Sequence, residues 1–276
     1  MMFDGFMAAG VPAPVFWLFV GAAVVIQGVS KSGFAGGAGI LSVPLMLLVM
    51  KRPQDVAATL LPLLILCDMN AIYHHRRNKV WRHVLAIYIP SVAGILLGAL
   101  VWWRVGKDGV GAFEGTIKRF VGAIAILFAG YIFAKARAAA WIARFRPGRG
   151  TALAAGVTAG FTSTLAHAAG PIVSLYMFAQ DMGKTLFVGT VAWTFTLINL
   201  TKLPFYVGVG LIRKEVLMFG AALIWLIPIG SFLGKWLHHR VSERAFNLVI
   251  LVLVLVAGVQ LLLGVNLVHL ALAAIF

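Results

Sequence analysis

The sequence predicts an all-α polytopic membrane protein of two inverted repeats, each opening with a broken, short helix pair followed by three transmembrane helices. Three observations lead there. Of 276 residues, 62% are hydrophobic and only 11% charged, whereas soluble domains run about 45–50% apolar and about 25% charged. The charges are clumped, leaving 5–30, 32–50, 84–103, 120–134, 150–180, 216–234 and 245–276 without any Asp, Glu, Lys or Arg. Glycine- and proline-interrupted stretches also recur in corresponding positions of the two halves.

Most of the charge-free windows approach or exceed the roughly 20 apolar residues needed for a spanning helix. In hydrocarbon every backbone N–H and C=O must be paired internally. The windows are rich in Leu, Ala, Val, Ile and Gly without polar–apolar alternation, which fits helices and excludes a barrel.

The elements follow in order. Residues 15–50 form a long apolar stretch interrupted by Gly and small polar residues, too long for one span at about 1.5 Å per residue and barely long enough for two. It reads as two short helices meeting inside the membrane. Helices follow at 54–73, 84–103 and 117–135, completing a first repeat over 1–135. A basic cytoplasmic linker, 136–149, precedes a second repeat over 150–276. There the stretch 150–180 opens, and helices follow at 183–205, 214–236 and 245–265.

The repetition is visible residue by residue. Gly33-Phe34 followed by Pro44 recurs as Gly160-Phe161 followed by Pro171, with identical internal spacing. Further along, Thr59 falls opposite Thr190, Asp68 opposite Asn199, Asn70 opposite Thr201 and Arg82 opposite Arg213. Gly94 and Gly98 match Gly230 and Gly234, and Arg104 matches Arg240. The register slips by a few residues between these blocks, as loop-length changes require. The common order is what argues for duplication.

The net charge of +15 belongs to connectors such as Arg76-Arg77-Asn78-Lys79, not to a soluble basic domain, so no nucleic-acid partner is expected. Basic connectors are what membrane insertion selects. Placing 74–83 and 135–149 in the cytoplasm puts 51–55, 104–119 and 206–215 outside, where the acidic residues Asp4, Asp55, Asp108, Glu114 and Glu215 also fall. Both termini are then periplasmic, in a bacterial inner (plasma) membrane. The segment Met1 to Pro14 lacks the basic start of a secretory signal and reads as part of the mature protein. The lone cysteine, Cys67, permits neither an internal disulfide nor a Cys-based metal site.

The chemistry is expected at the two breaks. Glycine lets the backbone leave a helix at little steric cost, and proline suits the first turn of the next one. Each break therefore predicts a helix N-terminus, with free N–H groups and about half a positive charge. Two such termini aimed at one point would bind an anion, and inverted repeats around a midplane site are a recurring carrier plan. Close helix packing is the competing use of glycine in membranes, and Gly94, Gly98, Gly230 and Gly234 are assigned to it. Homodimerisation through those faces is the alternative to internal packing.

Polar residues at membrane depth are costly. The substrate-binding candidates are Lys31, Ser32, Gly36, Gly37 and Gly39 at the first break and Ser163, Thr164, His167 and Gly170 at the second, with Asn199 and Lys202. Lys31 either holds an anion or snorkels to an interface. His167 titrates near neutral pH when unperturbed, so it and Asp68 are the proton-coupling candidates. The alternatives are a hydrogen bond from His167 to the broken backbone and, for Asp68, pairing with a base such as Lys202. Thr190, Thr194 and Thr201 share one helix face, where threonines often bond their own backbone.

No His-x-x-x-His or His-Glu-x-x-His pair, Gly-x-Ser-x-Gly elbow or Gly-x-x-x-x-Gly-Lys-Ser/Thr loop occurs. Neither enzymatic activity, ATP hydrolysis, a cofactor nor a metal is expected.

The glycine-rich break ending in Val43-Pro44, and above all Gly160-Phe161-Thr162-Ser163 continuing through Ala166-His167-Ala168 to Gly170-Pro171, resembles the TauE/SafE family of sulfite and organosulfonate exporters. The resemblance continues through Val188-Gly189-Thr190 and Asn199 to Pro204. Ala38 and Ala169 depart from it where glycines are expected. The resemblance implies transport of small sulfur-containing anions such as sulfite, sulfoacetate or related sulfonates, without ATP. With the residue reading, the expectation is a secondary carrier whose partners are a small anion and the bilayer. The alternatives are an anion channel or a carrier of another small organic or inorganic anion.

Overall fold

A computed structural model describes residues 3–33, 38–108, 110–144 and 147–265. The chain is helical almost throughout. Among the described residues there is no β-strand, only an isolated bridge between Met7 and Met50.

The first half contains α1 (Ala13–Gly33), α2 (Ser42–Val49), α3 (Pro53–His75), α4 (Trp81–Asp108) and α5 (Val110–Arg144). The second contains α6 (Arg149–Ala166), α7 (Gly170–Phe178), α8 (Lys184–Gly208), α9 (Lys214–Leu223), α10 (Leu226–Arg240) and α11 (Glu243–Leu263). Among the described residues, five stretches are long and apolar enough to cross a membrane: Ala13–Lys31, Pro53–Tyr73, Trp81–Gly106, Lys184–Gly208 and Lys214–Leu237. Leu18, Leu127, Phe133 and Phe232 are among many large apolar side chains left exposed. Water would not tolerate so continuous an apolar surface; lipid requires it.

Both opening stretches are broken, but not into two short helices. In each, the first member is long, 21 residues in α1 and 18 in α6, and the second is short, 8 in α2 and 9 in α7. Glycine permits a helix to stop without forcing it to: α6 runs through Gly156 and Gly160 and ends only at His167, so how far each flank runs depends on its packing. A second difference is α5, which continues to Arg144, well past the expected end at 135. The run Ala134-Lys135-Ala136-Arg137-Ala138-Ala139-Ala140 consists of strong helix formers, and nothing forces the helix to stop where its apolar stretch does.

Side chains of α1 hold the first break against it. Ser42 Oγ donates to Ala23 O at 2.7 Å, Gln27 Nε2 to Gly39 O at 3.0 Å, and Gly39 N to Ser30 Oγ at 2.9 Å. The 3-10 turn Ala38–Leu41 and α2 thus run back along α1. The hairpin closes where Ala8 N reaches Val49 O at 2.8 Å and Lys51 N reaches Phe6 O at 2.9 Å.

The same end of the molecule collects the Asp55–Arg213 ion pair and the Phe3–Phe6–Trp17–Phe219 aromatic cluster. At the other end Val80 N donates to Thr190 Oγ1 at 3.0 Å, and Lys79 lies 4.7 Å over the Trp193 ring. Connectors 51–55 and 206–215 therefore share one face of the protein, and 76–80 lies on the opposite one.

The most extensive helix pairings are α4 with α6, α1 with α10, α5 with α11 and α3 with α8. Each joins the first half to the second. Glycines make the approaches possible. A Cβ on Gly94 would sit 2.0 Å from Val157 O, one on Gly98 2.7 Å from Thr164 Cβ, and one on Gly230 2.4 Å from Val25 O. These glycines pack inside the molecule.

Candidate functional site

Three elements converge behind the second break: the end of α6, the N-terminal part of α3 and the last third of α8. α6 stops at His167, which adopts a left-handed conformation (φ 49°, ψ 31°), and its N–H returns to Ser163 O at 3.0 Å. That region is uncommon for any residue but glycine, so the surroundings must hold it. They do so through the ring. Nε2 lies 2.9 Å from Ala57 O on α3, and Nδ1 lies 3.0 Å from Lys202 Nζ on α8. Ala169 then leads into α7, with Pro171 in its first turn.

Lys202 is fully buried. Besides His167 it reaches Ser163 O at 3.1 Å and Ser163 Oγ at 3.0 Å. The donor roles follow from chemistry. Ala57 O only accepts, so Nε2 of His167 carries a hydrogen, and in a neutral ring Nδ1 must accept from Lys202. A second ring proton would leave Nδ1 without lone pair, and the contact then survives only if Lys202 is a neutral amine. The pair therefore accommodates a single excess proton between its two members.

A second polar group lies nearby. Asp68 on α3, completely buried, pairs with Lys31 Nζ at the end of α1 at 2.5 Å and accepts from Asn199 Nδ2 on α8 at 2.6 Å. The carboxylate's basic partner is Lys31 and not Lys202. The sequence left this open because helix order says nothing about which lysine faces which acid. The Lys31 ammonium also lies 4.7 Å from the centre of the Phe195 ring.

Between these groups is a cavity of about 50 Å³. Gly39 and Ile40 of the first break line it, as do Ala168 to Pro171 of the second. Lys31, Ser163, His167 and Asn199 supply polar walls, and Gln27, Leu64 and Phe195 complete it. A Cβ on Gly39 would come within 2.6 Å of Gln27 Oε1, so a side chain there would have to displace the Gln27 amide that holds the break.

Of the residues singled out in the sequence, Lys31, Gly39, Ser163, His167, Gly170 and Asn199 line this one chamber, and Lys202 and Asp68 touch its walls. Thr164 does not. Its hydroxyl is engaged by Gly160 O at 2.8 Å, and its carbonyl accepts from Trp102 Nε1 at 3.0 Å and Tyr206 OH at 2.5 Å. Gly36 and Gly37 lie outside the described residues, as does the Ser32 side chain. The threonine stripe is tied up in helix contacts: Thr190 accepts from Val80 N, Thr194 donates to Thr190 O at 2.8 Å, and Thr201 bonds the Tyr88 hydroxyl at 3.0 Å.

Sequence reasoning overlooked Gln27 and Phe195. Gln27 was findable as a lone amide in a charge-free apolar run. Phe195 carries no such signal among 19 phenylalanines. Among the described residues no group of three His, Cys, Asp or Glu side chains could hold a metal ion.

The fold and this buried chamber define a multi-pass helical membrane protein with a polar interior site. Residues 19–261 match the family described as sulfite exporter TauE/SafE, and the chain belongs to that family of transporters. No curated protein and no solved structure matches the chain.

Proposed function

We propose that the protein is a secondary carrier that moves small sulfur-containing anions, sulfite or short sulfonates, across a bacterial inner membrane through the chamber between the two breaks. One observation carries this reading: two lysines flank a cavity bordered by both interrupted helices, Lys31 paired with the Asp68 carboxylate and Lys202 with no carboxylate of its own among the described residues. A buried charge is costly unless compensated; Asp68 answers Lys31 alone, so an anion in the chamber is what would compensate a proton held by the Lys202–His167 pair. Water needs roughly 10–15 Å³ of such space per molecule; a cavity of about 50 Å³ therefore suits a compact oxyanion.

The two halves act as inverted repeats in this proposal. Its support is the pairing pattern, in which α1 with α10 and α4 with α6 exchange corresponding elements, while α3 with α8 and α5 with α11 pair like with like. Proton coupling runs through the Lys202–His167 pair, whose hydrogen bond holds one excess proton, with Asp68 as the second titratable group. Termini on the periplasmic side fit the sharing of one face by 51–55, 206–215 and the N-terminal segment. The second reading, an anion channel, has less support, because the chamber is small and its polar walls are tied together by the Lys31–Asp68–Asn199 and Ser163–Lys202–His167 hydrogen bonds.

The test is uptake of radiolabelled sulfite into proteoliposomes with pH varied independently on each side. The carrier predicts saturable flux without single-channel currents. Flux absent for every sulfur oxyanion, yet present for a cation or amine, would overturn the substrate class.

A further inference from the structure

A second cavity, also of about 50 Å³, abuts the first. Its walls are Lys31, Asp68, Ala71, Phe187, Val191 and Phe195, among others. Lys31 and Phe195 belong to both cavities. Ala71 lies near the end of α3 and Phe187 near the start of α8, so the second cavity lies toward the face that carries connector 76–80. Apart from Lys31 and Asp68 its walls are apolar. The chamber and this vestibule are thus separated by two side chains, one ammonium and one aromatic ring, that also touch each other.

We infer that the Lys31–Asp68 ion pair and the Phe195 ring form the threshold through which the central chamber opens toward the face carrying connector 76–80. This rests on the proposal that the chamber holds the transported anion. Three physical arguments support it. Asp68 is fixed, fully buried and held from its other oxygen by Asn199 at 2.6 Å, whereas the Lys31 side chain keeps 19% of its surface exposed. The lysine is therefore the movable partner, on a flexible four-carbon stem. An anion arriving in the vestibule offers Lys31 the same contact that Asp68 provides, so the ammonium can exchange one for the other without standing unpaired. The Phe195 ring is half-buried, packed against the apolar cluster that includes Ile87, Val173 and Val191 and capped by the Lys31 ammonium; it blocks the way by bulk, and a rotamer change once Lys31 has moved would open the chamber. Asp68 thereby acts as a resident stand-in for the substrate, which keeps the threshold closed when no anion is present.

The experiment reads accessibility and not transport. In a Cys67→Ala background, which removes the only cysteine, Ala169→Cys places a thiol on the chamber wall. Proteoliposomes of known orientation are treated from each face separately with an anionic methanethiosulfonate reagent. Modification from the 76–80 face should be slow, and Phe195→Ala should accelerate it at least tenfold. Phe195→Leu, which retains bulk, should fall between. Asp68→Asn should also accelerate it, because Lys31 loses its tether.

Equal rates for Phe195 and Phe195→Ala in well-folded protein, or a Phe195→Ala gain only from the opposite face, would refute the threshold. Sulfite protection of the thiol tests the carrier proposal separately. Acceleration by Phe195→Ala without sulfite protection supports the threshold while removing sulfite as the chamber's ligand.

Discussion

Replacing Asp68 with Asn gives the sharpest view of how the site is held together. The substitution preserves shape and removes one charge. In the native protein the carboxylate is completely buried, 2.5 Å from Lys31 Nζ and 2.6 Å from Asn199 Nδ2. Removing one member of a buried pair typically costs about 3–5 kcal/mol, because the remaining charge is stranded, while exposed pairs are worth about 0–1 kcal/mol. Lys31 is partly exposed at 19%, so we expect about 2–3 kcal/mol, between those limits. The amide nitrogen of the new Asn would also face either Lys31 or the Asn199 donor, which adds a clash of donors.

The assay is thermal unfolding of purified protein in detergent, with and without sulfite. A ligand that binds only the folded state stabilises it by about 2.7 kcal/mol at a hundredfold excess over Kd. If the chamber holds the anion as proposed, the anion competes with Asp68 for Lys31 in the native protein and has no such competitor in Asp68→Asn. The variant should therefore melt several degrees lower, and sulfite should raise its Tm by more than it raises that of the native protein. An Asp68→Asn protein that melts like the native one and is indifferent to sulfite would show that the pair neither supports the fold nor competes with the substrate.

Three further outcomes are expected. Lys202→Met removes the ammonium that contacts Ser163 and His167; sulfite flux should fall at least tenfold while the protein remains monodisperse, and retained flux would show that Lys202 is dispensable for transport. His167→Gln should abolish the dependence of flux on a pH gradient if the Lys202–His167 pair carries the proton, a result read by comparing initial rates with and without an imposed gradient. Gly160→Ala drives a Cβ to 2.0 Å from Ser91 O, whereas Gly130→Ala meets nothing within 4 Å. Overpacking costs about 1–3 kcal/mol, so the first should lower Tm and yield, the second should not, and equal behaviour of the two would contradict the α4–α6 packing.

Much of this was readable before any coordinates. Charge-free windows of spanning length exist because a bilayer rejects unpaired charge, and the rule acts residue by residue, so composition reports it directly. That each opening stretch is interrupted was equally legible from the Gly33 to Pro44 and Gly160 to Pro171 motifs, but not the point of the second break: α6 runs through Gly160 and ends only at His167, ahead of Gly170 and Pro171. Lys31, His167, Asn199 and Lys202 stood out because a polar side chain in apolar surroundings needs a reason wherever it sits.

Partnership was not legible. That Asp68 pairs with Lys31 while Lys202 reaches Ser163 and His167 depends on how α1, α3, α6 and α8 rotate about their axes as they pack. That rotation is fixed by many weak contacts distributed over the whole chain. Phe195 became part of the site for the same reason: nothing distinguishes it from other phenylalanines until α8 turns its ring against Lys31. The sequence determined which groups had to be buried and which stretches had to be interrupted, because those are local costs; where α5 and α6 end, and the division of the expected 214–236 helix into α9 and α10, were decided by packing. Only the tertiary structure decided which of those groups meet, because contact between distant residues is a property of the assembled whole.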